Sequence, residues 1–183
     1  MSELKKAEFK TVQFSRASLP VFAEVIQKYP YVFYGLDNLL PQYFIDLYDN
    51  CAIHKAVVTS KVNQIMGDGL VSLDNPAATY ELINPKQDVS DVMKKCVLDF
   101  MLFGGFCLNV IWSNDRKSIA EIYHVDFSRI RSGKINPIND EIECYYYSAN
   151  WKDPKKYVPI EIKSFSQAEP DPSQLYYFKT YMP

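Results

Sequence analysis

The sequence predicts an α+β domain in which N-terminal helices pack with an antiparallel β-hairpin and sheet. Apolar residues recur at helical spacing through much of the region between residues 41 and 101. After Gly105 they form short runs separated by turn-forming residues, which is typical of strands. A chain of 183 residues can bury one sizeable core, so we expect a single domain with an attached strand-rich segment.

The first predicted elements are an arm and a helix. Residues 1–17 are mostly polar, and we expect an N-terminal arm there. Ser18 and Pro20 are typical of a helix start, and apolar residues then recur at helical spacing until Pro30 ends the helix.

Two helices are predicted next. The first covers residues 41–48 and places Pro41 in its first turn, where the missing N–H costs nothing. The second begins near Asn50 and ends at Gly67, which is a natural C-terminal cap. One stripe of this amphipathic helix consists of His54, Val57, Val58, Lys61, Val62 and Ile65.

Residues 70–88 contain weaker signals. We expect a short strand at residues 70–73 and a short helix from Pro76 toward Ile83, broken by the Asn84-Pro85 pair. Asp88 then caps a longer helix. The wide apolar face of that helix, which we expect to be held between other elements, consists of Val89, Val92, Met93, Cys96, Val97, Phe100 and Met101.

The β-hairpin that follows is the clearest strand signal. Gly104 and Gly105 end the helix, and residues 106–112 are apolar at almost every position, which predicts a strand covered on both faces. The polar turn at residues 113–117 returns the chain as a second strand at residues 119–125.

The remaining third of the chain is predicted to be rich in strands. We expect strands at residues 142–147, 157–165 and 175–181, with a linker at residues 167–173. This gives a helical and hairpin core at residues 18–135 and a strand-rich segment at residues 136–183. We expect that segment to continue in a longer protein.

Composition narrows the classes of function. The formal net charge of −2 argues against a dedicated nucleic-acid surface, although Arg129, Arg131 and Lys134 could make weak, sequence-neutral contact with a DNA backbone. The four cysteines lack metal-ligand spacing, so we expect no metal or cofactor site. No apolar run approaches the roughly 20 residues of a membrane span, and the N-terminus lacks a signal-peptide pattern.

The tyrosine content is high, with 14 Tyr among 183 residues. Tyr suits surfaces that another chain covers, and it also favours strands. Two explanations therefore stay open at this stage, namely a Tyr-rich partner surface on the C-terminal strands and an ordinary β-rich segment.

Three stretches in a fixed order carry a family resemblance. Residues 34–41 read YGLDNLLP, with Gly35, Asp37, Asn38 and Pro41 shaping a turn into a helix. The run HKAVV at residues 54–58 leads to MGDGL at residues 66–70, with Gly67 and Gly69. The run DFMLFGGF at residues 99–106, with Gly104 and Gly105, precedes the strand ending in VIW and the later VDFSRIR. Together they span roughly residues 30–131, and the arrangement resembles the N-terminal part of bacteriophage portal proteins.

The resemblance implies a wing-like α+β fold and a mechanical function. Portal subunits form a dodecameric ring at the virion's portal vertex after assembly in the bacterial host cytoplasm. The ring nucleates procapsid assembly with the major capsid or scaffold protein, docks the terminase, conducts double-stranded DNA and seats the head-tail adaptor. The chain would then be the N-terminal wing fragment of a head-tail connector subunit, with no catalytic residue, cofactor, membrane contact or small-molecule substrate.

Two other classes of function are open. One is a different phage-associated interaction module that uses a Tyr-rich surface. The other is a Cys-dependent hydrolase, with Cys107 as the nucleophile and His124 as the base. His54 is better explained as a polar group at the edge of a core than as a ligand. The Gly67-Asp68-Gly69 turn follows a helix, whereas a phosphate-binding loop precedes one.

Overall fold

The computed structural model describes residues 28–70, 73–74 and 82–180, and it confirms the α+β prediction. Three helices precede most of the antiparallel strands, and the third helix packs on the central hairpin. The predicted N-terminal arm and nearly all of the helix predicted from Ser18 to Pro30 lie outside the described residues. So do parts of the strand at residues 70–73 and of the helix from Pro76.

The first two helices match their predictions in position. Helix α1 spans Leu40–Asn50 with Pro41 in its first turn, and α2 spans Ala52–Met66 with Gly67 at its C-terminal cap. Val58 and Val62 on α2 are buried. Val57 and Ile65 are 50% and 57% exposed, so the described residues cover only part of the predicted apolar stripe.

A small hairpin replaces the end of the predicted short helix. Strands β1 (Leu82–Asn84) and β2 (Gln87–Asp88) pair antiparallel, so the helix toward Ile83 is wrong at these residues. The buried Asn84 explains the turn, because its Oδ1 accepts the Lys86 N–H at 3.0 Å. Its Nδ2 donates to the Ile122 carbonyl at 3.0 Å, which ties this hairpin to the main sheet.

Helix α3 (Val89–Phe103) and the strand after it follow the prediction closely. The Asp88 carboxylate caps the helix by accepting the Asp91 N–H at 2.8 Å. Gly104 ends it in the left-handed conformation, with φ of 73°.

The first sheet has the order β4-β3-β8. Its strands are β3 (Gly105–Trp112), β4 (Ile119–Val125) and β8 (Ser173–Lys179), all paired antiparallel. The hairpin prediction is confirmed. The central position of β3 between β4 and β8 explains its nearly continuous apolar sequence, since Cys107 and Val110 are buried and most of the other positions are partly buried.

The second sheet has the order β5-β6-β7. Its strands are β5 (Ile130–Ser132), β6 (Cys144–Tyr147) and β7 (Ile160–Lys163). β6 and β7 are shorter than predicted, and β5 lies where no strand was predicted. The Phe165 N–H donates to the Leu175 carbonyl at 2.9 Å and joins this sheet to β8. Because β8 also pairs with β3, strands from both sides of residue 135 share one sheet. The division of the chain into a core at residues 18–135 and a segment at residues 136–183 stays a prediction.

The core lies between the two sheets and is strongly aromatic. Its buried members are Cys107, Phe127, Ile130, Tyr145 and Leu175. Tyr145 and Tyr146 are only 6% and 9% exposed. Tyr145 and Tyr146 therefore pack inside the protein and do not contribute to a partner surface. Tyr176 on β8 is 41% exposed, so a Tyr-rich partner surface elsewhere on the C-terminal strands stays a prediction.

Gly105 tests the close approach of β3 to its paired strand β8. A Cβ at this position would lie 2.5 Å from the Phe178 carbonyl oxygen, which belongs to the paired strand and cannot move aside. We expect Gly105→Ala to lower the free energy of unfolding by about 1–3 kcal/mol, measured by urea denaturation.

The neighbouring Gly104 supplies the control. Gly104→Asn keeps a residue type that tolerates the left-handed region, and its Cβ would meet only Thr180 Oγ1 at 3.7 Å. Equal losses in the two variants would contradict the proposed contact.

Candidate functional site

The predicted turn before α1 forms as a closed loop. Gly35 and Asn38 adopt positive φ values of 84° and 62°. Asp37 Oδ1 accepts the Leu39 N–H and Asn38 Oδ1 accepts the Tyr34 N–H, both at 3.0 Å. Asp37 and Asn38 thus act as turn formers. Neither caps α1, because Leu39 is the N-cap residue and no side chain caps the helix. Gly67 and Gly69 also take positive φ.

Arg131 holds this turn against the second sheet. Its side chain is fully buried, and each of its five N–H groups has an acceptor. Nε donates to Asn38 Oδ1 at 2.5 Å and Nη2 donates to the Asn38 carbonyl at 2.6 Å. Nη1 donates to the Ser128 and Ile130 carbonyls at 2.9 and 2.7 Å. The fifth acceptor is Gln42 Oε1, at 3.4 Å from Nη2.

Two aromatic rings enclose the same guanidinium. Its central carbon lies 4.9 Å from the ring centroid of Tyr34 and 4.8 Å from that of Trp151. No carboxylate of the described residues pairs with it. Burial lowers the pKa of Arg131 to about 10, and the nearby tyrosines oppose that shift. Neutral oxygens and aromatic faces therefore stabilise this cation.

These contacts correct the predicted DNA contact at Arg131. A guanidinium that is fully buried and fully hydrogen-bonded has no donor left for a phosphate. Arg129 is different, because its side chain is 48% exposed and lies near Asp126 and the Tyr147 hydroxyl. Lys134 is partly exposed. The contact proposed for these two residues stays a prediction.

The strand register separates Cys107 from His124. Cys107 lies opposite Val125 and His124 lies opposite Leu108, so neighbouring positions along each strand put the two side chains on opposite faces of the sheet. Burial also raises the pKa of the Cys107 thiol well above its ordinary value. The nucleophile–base pair considered from the sequence is not assembled here.

His124 instead pairs with Asp99 of α3. Its Nε2 lies 2.8 Å from Asp99 Oδ2, which also accepts the Phe127 N–H at 3.1 Å. Burial raises the pKa of Asp99, and the hydrogen bonds from His124 and Phe127 partly offset this effect. This pair was missed from the sequence because Asp99 sits within an apolar helix face, 25 positions from its partner. It fixes the start of the short 3₁₀ helix η1 (Phe127–Arg129), in which the Ser128 carbonyl accepts a hydrogen bond from Arg131.

His54 on α2 is partly exposed and packs edge-on against Tyr48. Among the described residues, no group of three or more His, Cys, Asp and Glu side chains is placed to hold a metal ion. No helix in that part of the chain is long and apolar enough to cross a membrane.

A shallow apolar depression lies beside the first sheet. Its volume is about 240 Å³, and α2 and α3 line it together with β3 and β8. Its lining residues are Ile65, Met93, Cys96, Val97, Phe100, Phe106 and Phe178. Apolar lining without convergent polar groups suits packing by another apolar surface better than it suits catalysis.

Comparison with protein-family models and with curated proteins finds no match for this chain. Function is therefore inferred from the sequence resemblance and from the geometry above.

Arg131→Lys tests the role of the buried guanidinium. Lysine keeps the charge, but its single ammonium cannot reach the acceptors on Asn38, Ser128 and Ile130 together. We expect the free energy of unfolding to fall by about 2–4 kcal/mol in urea denaturation, because buried acceptors lose their donors. Arg129→Lys is the matched control and should change stability by less than about 0.5 kcal/mol. Similar effects in both variants would refute the assignment.

Stability at high pH tests the buried tyrosines. Burial raises the pKa of Tyr145 to about 12 and raises the pKa values of Tyr34 and Tyr177. The folded state keeps these protons above pH 10, where the unfolded chain loses them, so stability should fall as the pH rises past 10. Tyr145 alone contributes up to about 1.4 kcal/mol per pH unit in that range. Arg131 has the opposite effect on stability, because its lowered pKa means that the folded state loses this proton at a lower pH than the unfolded chain does.

Urea titrations between about pH 8 and 11 measure how the free energy of unfolding changes with pH, and tyrosinate absorbance is recorded in the same samples. Tyr145→Phe should flatten it, whereas Tyr157→Phe, at a more exposed side chain, should not. A wild-type stability that does not change above pH 10 would disagree with this account.

Proposed function

We propose that this chain is a wing-type structural domain of a phage or prophage portal subunit. Its role is that of a structural scaffold within each subunit of a homo-oligomeric ring, which is a dodecamer in the complete protein. This places the protein at the portal vertex of the virion, after assembly in the cytoplasm of a bacterial host.

One observation carries the proposal. The first and last stretches of the portal resemblance, residues 34–41 and 125–131, are distant in sequence but directly bonded in the fold. Arg131 and Asn38 lie 93 positions apart and share two hydrogen bonds, with Nε and Nη2 as donors. The first and last parts of the resembling region therefore contact each other in the fold, which supports treating them as one motif.

The chemistry of the described residues favours a mechanical role over an enzymatic one. The Arg131 guanidinium, the Asp99–His124 pair and the Cys107 thiol are all committed to internal contacts. Ring geometry would then position the partners, which are the capsid or scaffold protein, the terminase and the head-tail adaptor. ATP hydrolysis would belong to the terminase.

DNA passing through such a ring would meet this domain only weakly. The formal net charge is −2, and Arg131 is internal. Arg129 and Lys134 remain the proposed contacts, and they would act on the phosphate backbone without reading sequence.

Electron microscopy and native mass spectrometry of the full-length gene product test the proposal. We expect a closed ring with a central channel and about twelve subunits. A monomer, or a small closed oligomer without a channel, would overturn the portal assignment and favour an interaction module of another kind.

A further inference from the structure

A hydrogen-bonded loop between β5 and β6, residues 134–143, presents an isoleucine to solvent. Ile138 at its tip is 92% exposed. The Asn136 side chain fixes this tip, because its Oδ1 accepts the Ile138 N–H at 2.9 Å and its Nδ2 donates to Glu143 Oε1 at 2.6 Å. Asn139 Nδ2 donates to the same Glu143 oxygen at 3.2 Å. The loop therefore has a preformed shape, which lowers the entropy cost of binding a partner.

The 134–143 loop is also acidic. It contains three carboxylates and one lysine. Glu143 is used within the loop, whereas the exposed Asp140 and Glu141 carboxylates form no ion pair with another described residue. An apolar tip thus lies next to two negative charges that the described part of the chain leaves unpaired.

A cleft between α1, α2 and α3 has the complementary properties. Its volume is about 450 Å³, within the range of roughly 300–1,000 Å³ that is usual for binding clefts. The charged residues of its lining are Lys94 and Lys95, which are exposed and pair with no carboxylate of the described residues. The other lining residues are Tyr48, Thr59, Val62, Asn63 and Leu98.

Contacts between α1 and α2 fix one wall of the α1–α2–α3 cleft. The Tyr48 hydroxyl lies 3.2 Å from Thr59 Oγ1, and the Lys55 ammonium lies 5.0 Å from the centroid of the Tyr48 ring. Lys55 also pairs with Asp49 at 3.3 Å, so this nearby carboxylate is already occupied. Asp91 precedes the two cleft lysines by one helical turn and pairs with neither of them. Both lysines can therefore accept an acidic partner.

The chain carries both halves of a contact, so a second copy of it suffices as the partner. The exposure of Ile138 shows that the loop does not enter the cleft of its own chain. Its apolar tip matches the apolar part of the cleft lining, and its two unpaired carboxylates match the two unpaired lysines.

We propose that the 134–143 loop of one copy of this chain inserts into the α1–α2–α3 cleft of a second copy. Ile138 packs on the apolar floor of the cleft, which consists of Val62 and Leu98, and the carboxylates of the loop pair with the cleft lysines. Loop and cleft are different surfaces, so the contact is heterologous and propagates into a ring or an open chain. This inference rests on the proposed ring function, for which it names the subunit contact.

Ile138→Ser tests the apolar half of the contact in sedimentation velocity runs from about 1 to 200 µM, a range that brackets weak association. We expect the wild type to form species larger than a dimer. The variant should weaken association by about tenfold or more, because it removes the group that the cleft buries. Val158→Ser is the matched control, at a side chain that is 72% exposed on another surface, and should leave association unchanged. Neither exposed substitution should lower the melting temperature.

Charge reversal tests the polar half. Lys94→Glu and Lys95→Glu together should weaken association roughly threefold or more, and so should Glu141→Lys alone. Combining the three changes should recover part of the association, because opposite charges face each other again. Added salt should reduce the differences between these variants.

A mixing experiment tests whether the contact is heterologous. The Ile138→Ser chain keeps an intact cleft, and the chain with Lys94→Glu and Lys95→Glu keeps an intact loop. Their mixture should form a dimer with one copy of each and nothing larger, because only one productive contact is left. A mixture without this dimer would overturn the contact. So would a monomeric wild type, a wild-type mass that stops at two copies, or association insensitive to these variants.

The same variants in the full-length product separate this inference from the proposed function. Rings that form unchanged in all of them would leave the portal proposal standing and remove the loop contact. Open chains that lack a ring but respond to these variants would do the reverse.

Discussion

A buried cation, the Arg131 guanidinium, is the interaction on which the arrangement of helices and sheets depends. Burying a charge is costly unless every donor is satisfied, and here the acceptors come from the 34–38 turn, α1, η1 and β5 itself. Because these acceptors belong to two stretches that are distant in sequence, residues 38–42 and 128–130, the donors of the cation are all satisfied only when the two stretches meet. The Tyr34 and Trp151 rings beside the guanidinium add cation–π attraction.

Tyrosine hydroxyls extend this network into the core between the sheets. The Tyr34 hydroxyl lies 3.0 Å from that of Tyr177 on β8 and accepts the Ser132 N–H of β5 at 3.2 Å. One side chain from the N-terminal turn therefore contacts both sheets. Several tyrosines of this chain, among them Tyr34 and Tyr177, occupy such positions, where a large ring fills a core and its hydroxyl reaches a polar partner.

Local chemistry made much of the fold predictable. Pro41, Asp88 and Gly104 mark helix ends through the properties of single residues, and the apolar run of β3 followed by a polar turn specifies a hairpin. The errors arose where a distant partner decides the outcome. Leu82–Asn84 is a strand because Asn84 closes a turn and reaches Ile122, and Arg131 is internal because Asn38 and Trp151 surround it. No pattern near those residues encodes these partners.

The position of β8 in the first sheet has a consequence for synthesis of the protein on the ribosome. β3 is the central strand, but β8 begins about 60 residues after β3 ends, and translation at about 5–20 residues per second delays it by roughly 3–12 s. During that interval the β3–β4 hairpin presents an aromatic, unpaired edge while the interior closed by Leu175 and Tyr177 is incomplete. Folding of this domain is therefore governed by a late, non-local closure, and the nascent chain passes through a stage in which aggregation or chaperone binding competes with it.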